Sequence, residues 1–153
     1  MTIHAWRLVK AHRANDAFSG EGASRYPGRW NRRGVPVVYT AGSLSLAALE
    51  VLANLDDASL ITDYVSIPVS FDERLCQNLD TRRLPNDWRS NPAPTATRDV
   101  GSEWALSGAS CILRVPSAII PSEFNYLINP GHRDFTRIKV GATTDFTWDN
   151  RLI

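Results

Sequence analysis

Apolar and polar residues alternate loosely over residues 4–9 (HAWRLV), which predicts a first strand with Trp6 and Leu8 on one face and Arg7 on the other. Residues 35–40 (VPVVYT) read as a second strand, with Pro36 near its start, where a missing N–H is tolerated. The period then changes. Behind Ser43, a good N-cap residue, Leu44, Ala47, Ala48, Val51, Leu52 and Leu55 recur at helical spacing. Leu46, Leu49 and Ala53 widen that apolar stripe almost all round, so the helix is expected to be largely buried. Asp56, Asp57 and Ser59 close it.

Further along, residues 64–69 (YVSIPV), 111–115 (CILRV) and 124–128 (FNYLI) read as strands, and residues 101–108 (GSEWALSG) as a short helix. Residues 81–99 hold Pro85, Pro92 and Pro94 with little periodicity, and read as a loop anchored by Trp88. Asn129-Pro130-Gly131-His132 is a turn. Short strands interleaved with a few helices predict one α+β domain over residues 1–153. The 153 residues, 43% hydrophobic, suffice for one core and not for two.

Composition narrows the function classes. No apolar run is long enough to span a membrane, and the N-terminus lacks the apolar region of a secretory signal. Cys76 and Cys111 are far apart, and His4, His12 and His132 are scattered, so neither a disulfide framework nor a metal site is expected. A cytoplasmic, metal-free protein is the default. The net charge is only +1, which argues against a generally basic, nucleic-acid-binding surface. The distribution is less even. Within residues 1–33, Arg7, Lys10, Arg13, Arg25, Arg29, Arg32 and Arg33 are opposed only by Asp16 and Glu21. Of the 17 basic residues only Lys10 and Lys139 are lysines. Either genomic base composition favours arginine, or the planar bidentate donor is there to hold phosphate.

The candidate chemistry gathers in residues 19–55. GEGASR carries two glycines of a dinucleotide fingerprint, but the third is missing and no convincing strand precedes it, which excludes a Rossmann unit. Gly20, Gly22 and Gly28 then serve turns or close backbone approach. Glu50 is the one charge on the apolar helix. It either rotates to solvent or pairs with an arginine, or it is a working carboxylate, because burying an unpaired charge without purpose is costly. Arg29, in GRWN, either stacks and pairs structurally or clamps a phosphate with help from Arg7. Tyr39 is either core or a ring that stacks on a ligand. Ser117 reads as a cap or turn residue, with no G-x-S-x-G around it to make a hydrolase nucleophile. Asn125, Asn129 and His132 read as turn chemistry.

Together these elements resemble a known family. Arg7, SGEGASRYPGRWN, VVYTAGSLSLAALE ending at Glu50, VPS at Ser117, NYLINP and the terminal WDNRL are similar, in order and over nearly the whole chain, to the RES domain. That resemblance implies a bent, split β-core with surrounding helices, like ADP-ribosyltransferase toxins. It implies NAD as substrate rather than a prosthetic group, and a toxin that destroys NAD by hydrolysis or phosphorolysis. It also implies a helix-turn-helix antitoxin of the Xre type that covers the site within a larger complex. By the resemblance, Glu50 and Arg29 are catalytic: Glu50 serves the scissile ribose. Arg7 and Arg29 bind the diphosphate or ribose, Tyr39 packs on the nicotinamide side, and Ser117, Trp30 and Asn129 complete the pocket. Some relatives have an aromatic directly after the first arginine, where this chain has Leu8; either Tyr26 or Trp30 substitutes for it, or affinity for the ligand is lower. Two other readings stand beside this one: ADP-ribosyl transfer to a protein, and a non-catalytic nucleic-acid-binding module.

Overall fold

A computed structural model describes residues 1–57 and 61–152. Ser59, expected to help close the helix after Glu50, lies outside the described residues. The chain begins with strand β1 (Thr2–Lys10), whose neighbour β3 (Tyr64–Asp72) pairs with it antiparallel along its whole length, from Thr2↔Asp72 to Lys10↔Tyr64. Between them in sequence come the short helix α1 (Glu21–Arg25), strand β2 (Val38–Ala41) and helix α2 (Leu44–Ala53). After β3 follow β4 (Cys76–Asn78), helix α3 (Thr95–Ser107), β5 (Ile112–Pro116) and β6 (Phe124–Ile128). β7 (Lys139–Val140) and β8 (Thr144–Phe146) both pair with β3.

These strands form one mixed sheet in the order β4-β5-β6-β2-β1-β3-β7. Only β4 and β5 run parallel. The sheet is nearly divided in the middle: β2 pairs fully with β6 but meets β1 at the single register pair Trp6↔Ala41. Where the ladder fails, the Arg7 side chain spans the gap. Its Nη1 donates to the Tyr39 carbonyl on β2 at 3.0 Å and its Nε to the Ala17 carbonyl at 2.6 Å. The expected α+β class with a split core is therefore what the chain forms.

Three apolar clusters fill the two faces. One centres on Ala5, Val38, Val69, Ile112 and Ile128. A second lies under α2 and holds Leu8, Leu46, Ala47, Tyr64 and Trp148. The third packs α3 on β5 and β6 through Trp30, Trp104, Leu113 and Leu127.

Three elements differ from the expectation. The strand read at residues 35–40 starts only at Val38, because Val35 belongs to a turn: its N–H goes to the Arg32 carbonyl and its own carbonyl accepts from Asn31. α2 starts on its Ser43 cap, which accepts from Leu46 N–H at 3.1 Å, but it is not buried all round. Only Leu46 and Ala47 are buried and Leu49 is 40% exposed, because the helix covers the sheet with one face. α3 begins six residues before the predicted helix, inside the segment read as a loop. Pro94 sits at its N-cap, where a proline starts a helix rather than breaking it. The predicted anchor Trp88 packs its ring on Trp30 at 6.2 Å.

Candidate active site

Glu50 sits on the inner side of α2, on the same face as the buried Leu46 and Ala47, four and three residues earlier. It is half-buried. Its Oε1 accepts from Ser117 Oγ at 2.9 Å and from Asn125 Nδ2 at 2.8 Å. No cation lies within ion-pairing distance of it among the described residues, so the structural pairing weighed for Glu50 is not what holds it. Two neutral donors fix one carboxylate oxygen, and no cation is paired directly with it among the described residues.

Ser117 is fully buried directly after β5. Its hydroxyl oxygen accepts the N–H groups of Ile119 and Ile120, each at 3.1 Å. Those bonds occupy the oxygen lone pairs and leave the proton only toward Glu50. Ser117 is thus both the turn residue that its sequence suggests and a fixed donor to the carboxylate, and it is not free to act as a nucleophile. Asn125 is not in a turn, as its sequence reading had it. It lies on β6, opposite Ala41 and Val115, and is 8% exposed. Its Oδ1 is buried with no partner. The amide thus donates to Glu50 and leaves its own acceptor unmet.

Arg29 and Tyr39 come from the turn and strand that face this site. Asn31, fully buried, organises the turn: its Oδ1 accepts from Gly28 N–H at 2.9 Å and from the Tyr39 hydroxyl at 2.5 Å, and its Nδ2 donates to the Ala23 carbonyl at 2.8 Å. The Tyr39 oxygen in turn accepts from Trp30 N–H at 3.1 Å. A Cβ on Gly28 would stand 2.7 Å from that oxygen, so only glycine lets the chain pass here. Burial pushes the Tyr39 phenol well above its ordinary pKa, with Trp30 N–H, Arg98 and Arg29 acting in the other direction. Tyr39 is therefore a neutral internal strut whose half-buried ring packs beside the third cluster.

Arg29 Nη1 donates to the carbonyls of Trp88 and Ser90, both at 2.7 Å, which fixes the guanidinium plane. Burial lowers its pKa, and the nearby charge of Glu50 raises it. The two charges attract without forming an ion pair among the described residues. Arg7 is held by two backbone carbonyls, and burial lowers its pKa to about 10, which leaves it charged at neutral pH.

The remaining expected residues are elsewhere. Trp30 is 2% exposed, with its ring against Trp88 in the core. Leu8 is buried under α2 and Tyr26 is 81% exposed. Asn129 donates to the Ala105 carbonyl and accepts from Gly131 N–H. It lines an open groove of about 810 Å³ with Pro130, His132 and Leu106, and neither Glu50, Arg29, Tyr39 nor Ser117 borders that groove. The structure thus joins Glu50 with Ser117, places Arg29 and Tyr39 nearby, and leaves Trp30 and Asn129 outside. Asn31, Asn125 and Arg98 were missed. A polar residue in the middle of FNYLI was the available signal for Asn125, since a buried amide in a strand demands a partner.

No helix among the described residues is long and apolar enough to cross a membrane, and no group of three or more His, Cys, Asp or Glu there could hold a metal ion. A split mixed sheet with one carboxylate on neutral donors and arginines at its side defines an α+β protein with a carboxylate–arginine site. The chain belongs to the RES domain family, whose model matches residues 4–149. It is 41% identical over 149 residues to Toxin Res of Photorhabdus laumondii, an alignment that covers 97% of this chain and 96% of that one. It is 35% identical to the Prs ADP-ribosylating toxin of a Sphingobium species, covering 100% and 98%. The fold is also that of a chain in the crystal structure of the MbcT–MbcA toxin–antitoxin complex of M. tuberculosis, with a TM-score of 0.75 at 20% identity, covering 96% of this chain and 85% of that one.

Proposed function

We propose that this chain is the toxin of a toxin–antitoxin pair and that it breaks the nicotinamide–ribose bond of cytoplasmic NAD. The observation that carries this reading is Glu50, a carboxylate pinned by Ser117 and Asn125 rather than neutralised by a cation. Cleavage sends the bonding electron pair of C1′–N to the pyridinium nitrogen. Nicotinamide leaves neutral, so no general acid is needed, and positive charge develops on the ribose, as in other glycosidic cleavages. A fixed negative charge stabilises that cation more than it stabilises the ground-state ribose, which is the condition for catalysis. Water or phosphate then forms the new C1′–O bond and loses a proton to solvent. Arg29, with its plane fixed by two carbonyls, suits a phosphate.

A second reading has a specific relative behind it. The Sphingobium protein is called an ADP-ribosylating toxin. The same ribosyl cation could be captured here by a protein side chain, giving transfer instead of hydrolysis or phosphorolysis. NAD labelled in the ADP-ribose part separates the two: label on a protein means transfer, and label in small products alone means hydrolysis or phosphorolysis.

A toxin that drains NAD requires masking, and the partner implied by the family resemblance is an Xre-type helix-turn-helix protein that covers the site. Expression of this chain alone in bacteria is expected to arrest growth as cellular NAD falls, and co-expression of its antitoxin is expected to restore both. Normal growth and normal NAD with abundant, folded protein would count against the toxin reading.

A further inference from the structure

Arg98 lies near the start of α3, and the contacts that fasten this helix to residues 29–32 fix where it sits. Gly101, one turn further on, packs against the Trp30 carbonyl so closely that an added Cβ would stand 1.8 Å from the oxygen. Ser102 Oγ accepts from Arg32 N–H at 2.8 Å, and Asp99 pairs with Arg32 at 3.3 Å. Arg98 is thereby held beside the turn that carries Arg29. Its positive charge acts on both Arg29 and Tyr39, lowering the pKa of each.

Among the described residues no acid pairs directly with Arg98 or Arg29, although the Glu50 charge acts on Arg29 in the opposite sense. Arg98 is half-buried, its Nε is buried without a hydrogen-bond partner, and it forms no ion pair among the described residues. The nearby acid, Asp99, is engaged with Arg32. Two guanidinium groups drawn together in partly desolvated surroundings repel each other. A buried N–H without an acceptor is a further cost. An anion with several oxygens lying between Arg29 and Arg98 would offset the repulsion and draw on the unused donors of both.

We propose that Arg98 and Arg29 form a two-point subsite for the diphosphate of the substrate. This rests on the NAD reading above and adds a second, sequence-distant arginine to it. Arg29 supplies the fixed point, because its Nη1 is already tied to two carbonyls. Arg98 supplies the adjustable one, on a side chain that no acceptor holds. A diphosphate offers oxygens to both, whereas nicotinamide riboside has no phosphate to offer either.

The test measures binding separately from cleavage. Purified wild-type protein and Arg98→Gln are titrated calorimetrically with ADP-ribose and with inorganic pyrophosphate, with thermal melting run on the same samples. Wild type is expected to bind both, and Arg98→Gln to bind both about 10–100-fold more weakly at an equal or higher melting temperature, the size of losing a hydrogen bond to a charged group. Arg98→Lys is expected to fall between, since it restores charge without the fork. Equal affinity in wild type and Arg98→Gln overturns the subsite, as does wild type that binds neither ligand. A lower melting temperature with unchanged affinity shows a structural role and also overturns it. Failure of the NAD reading looks different: diphosphate binding that depends on Arg98, with no nicotinamide released by the wild type. Where NAD is cleaved, Arg98→Gln should raise KM for NAD with little change in kcat and leave cleavage of nicotinamide riboside, which has no diphosphate, as in wild type. A parallel loss on nicotinamide riboside would contradict the assignment.

Discussion

Glu50→Gln is expected to fold and bind NAD as the wild type does, while releasing nicotinamide about 10²–10³ times more slowly, the size of losing one preorganised electrostatic contact. The geometry makes this substitution informative. The Ser117 and Asn125 bonds both fall on Oε1, and a glutamine carbonyl oxygen can accept the same two bonds. The side chain keeps its length and position, and only the charge facing the ribosyl cation is lost. Stability should hold or rise, since a half-buried charge without a counter-ion is costly and a neutral amide is less so. A structural glutamate predicts the reverse: a lower melting temperature with normal turnover per folded molecule. Nicotinamide release and thermal melting on one purified sample separate the two.

The second large effect concerns stability. Gly101→Ala is expected to destabilise the protein by about 3 kcal/mol, at the upper end of the usual overpacking range. For a chain of this size that corresponds to a melting temperature lower by roughly 6–12 °C. Helix propensity alone gives the opposite sign, because alanine replaces glycine in a helix interior with a gain of about 1 kcal/mol. Contact decides between them. The new Cβ would stand 1.8 Å from the Trp30 carbonyl oxygen and 2.8 Å from its carbon. These are backbone atoms, so no side-chain rotation relieves the overlap, and α3 must move off residues 29–32. Because Arg29 and Arg98 lie on the two sides of that contact, NAD affinity should fall together with stability. A melting temperature equal to or above the wild type's would show that α3 does not rest on Trp30 in this way.

Much of this architecture was written in local patterns. The alternation around Arg7, the Ser43 cap and the strands near residues 64–69, 111–115 and 124–128 depend on neighbours in sequence, and all appear. The N-terminal half of α3 was obscured by Pro92 and Pro94, although Thr97, Val100, Gly101 and Trp104 recur at helical spacing and are among the residues that it buries. The extent of α2 burial was misjudged because an apolar stripe reports what a helix can bury and not what the sheet can cover. For the site, the candidates nearest the motif were Glu50, Arg29, Tyr39 and Ser117. The partners of Glu50 lie 67 and 75 residues away, and such contacts have no local signature. Asn125, read as turn chemistry, and Arg98, not singled out, were missed at the site for that reason: each carries one unmet hydrogen-bonding group, visible only once the strand and the helix are in place. Asn31 is the intermediate case. It sits inside GRWN, yet its work is to hold Gly28 and Tyr39 rather than to meet a ligand.

The most direct measurement incubates purified, folded wild-type protein with NAD and quantifies free nicotinamide over time, with Glu50→Gln alongside. The expected result is catalytic release, many nicotinamides per protein molecule, reduced to a small residue in the variant. NAD left intact by folded, partner-free wild-type protein, or released equally fast by Glu50→Gln, would contradict a nicotinamide–ribose cleavage carried by Glu50.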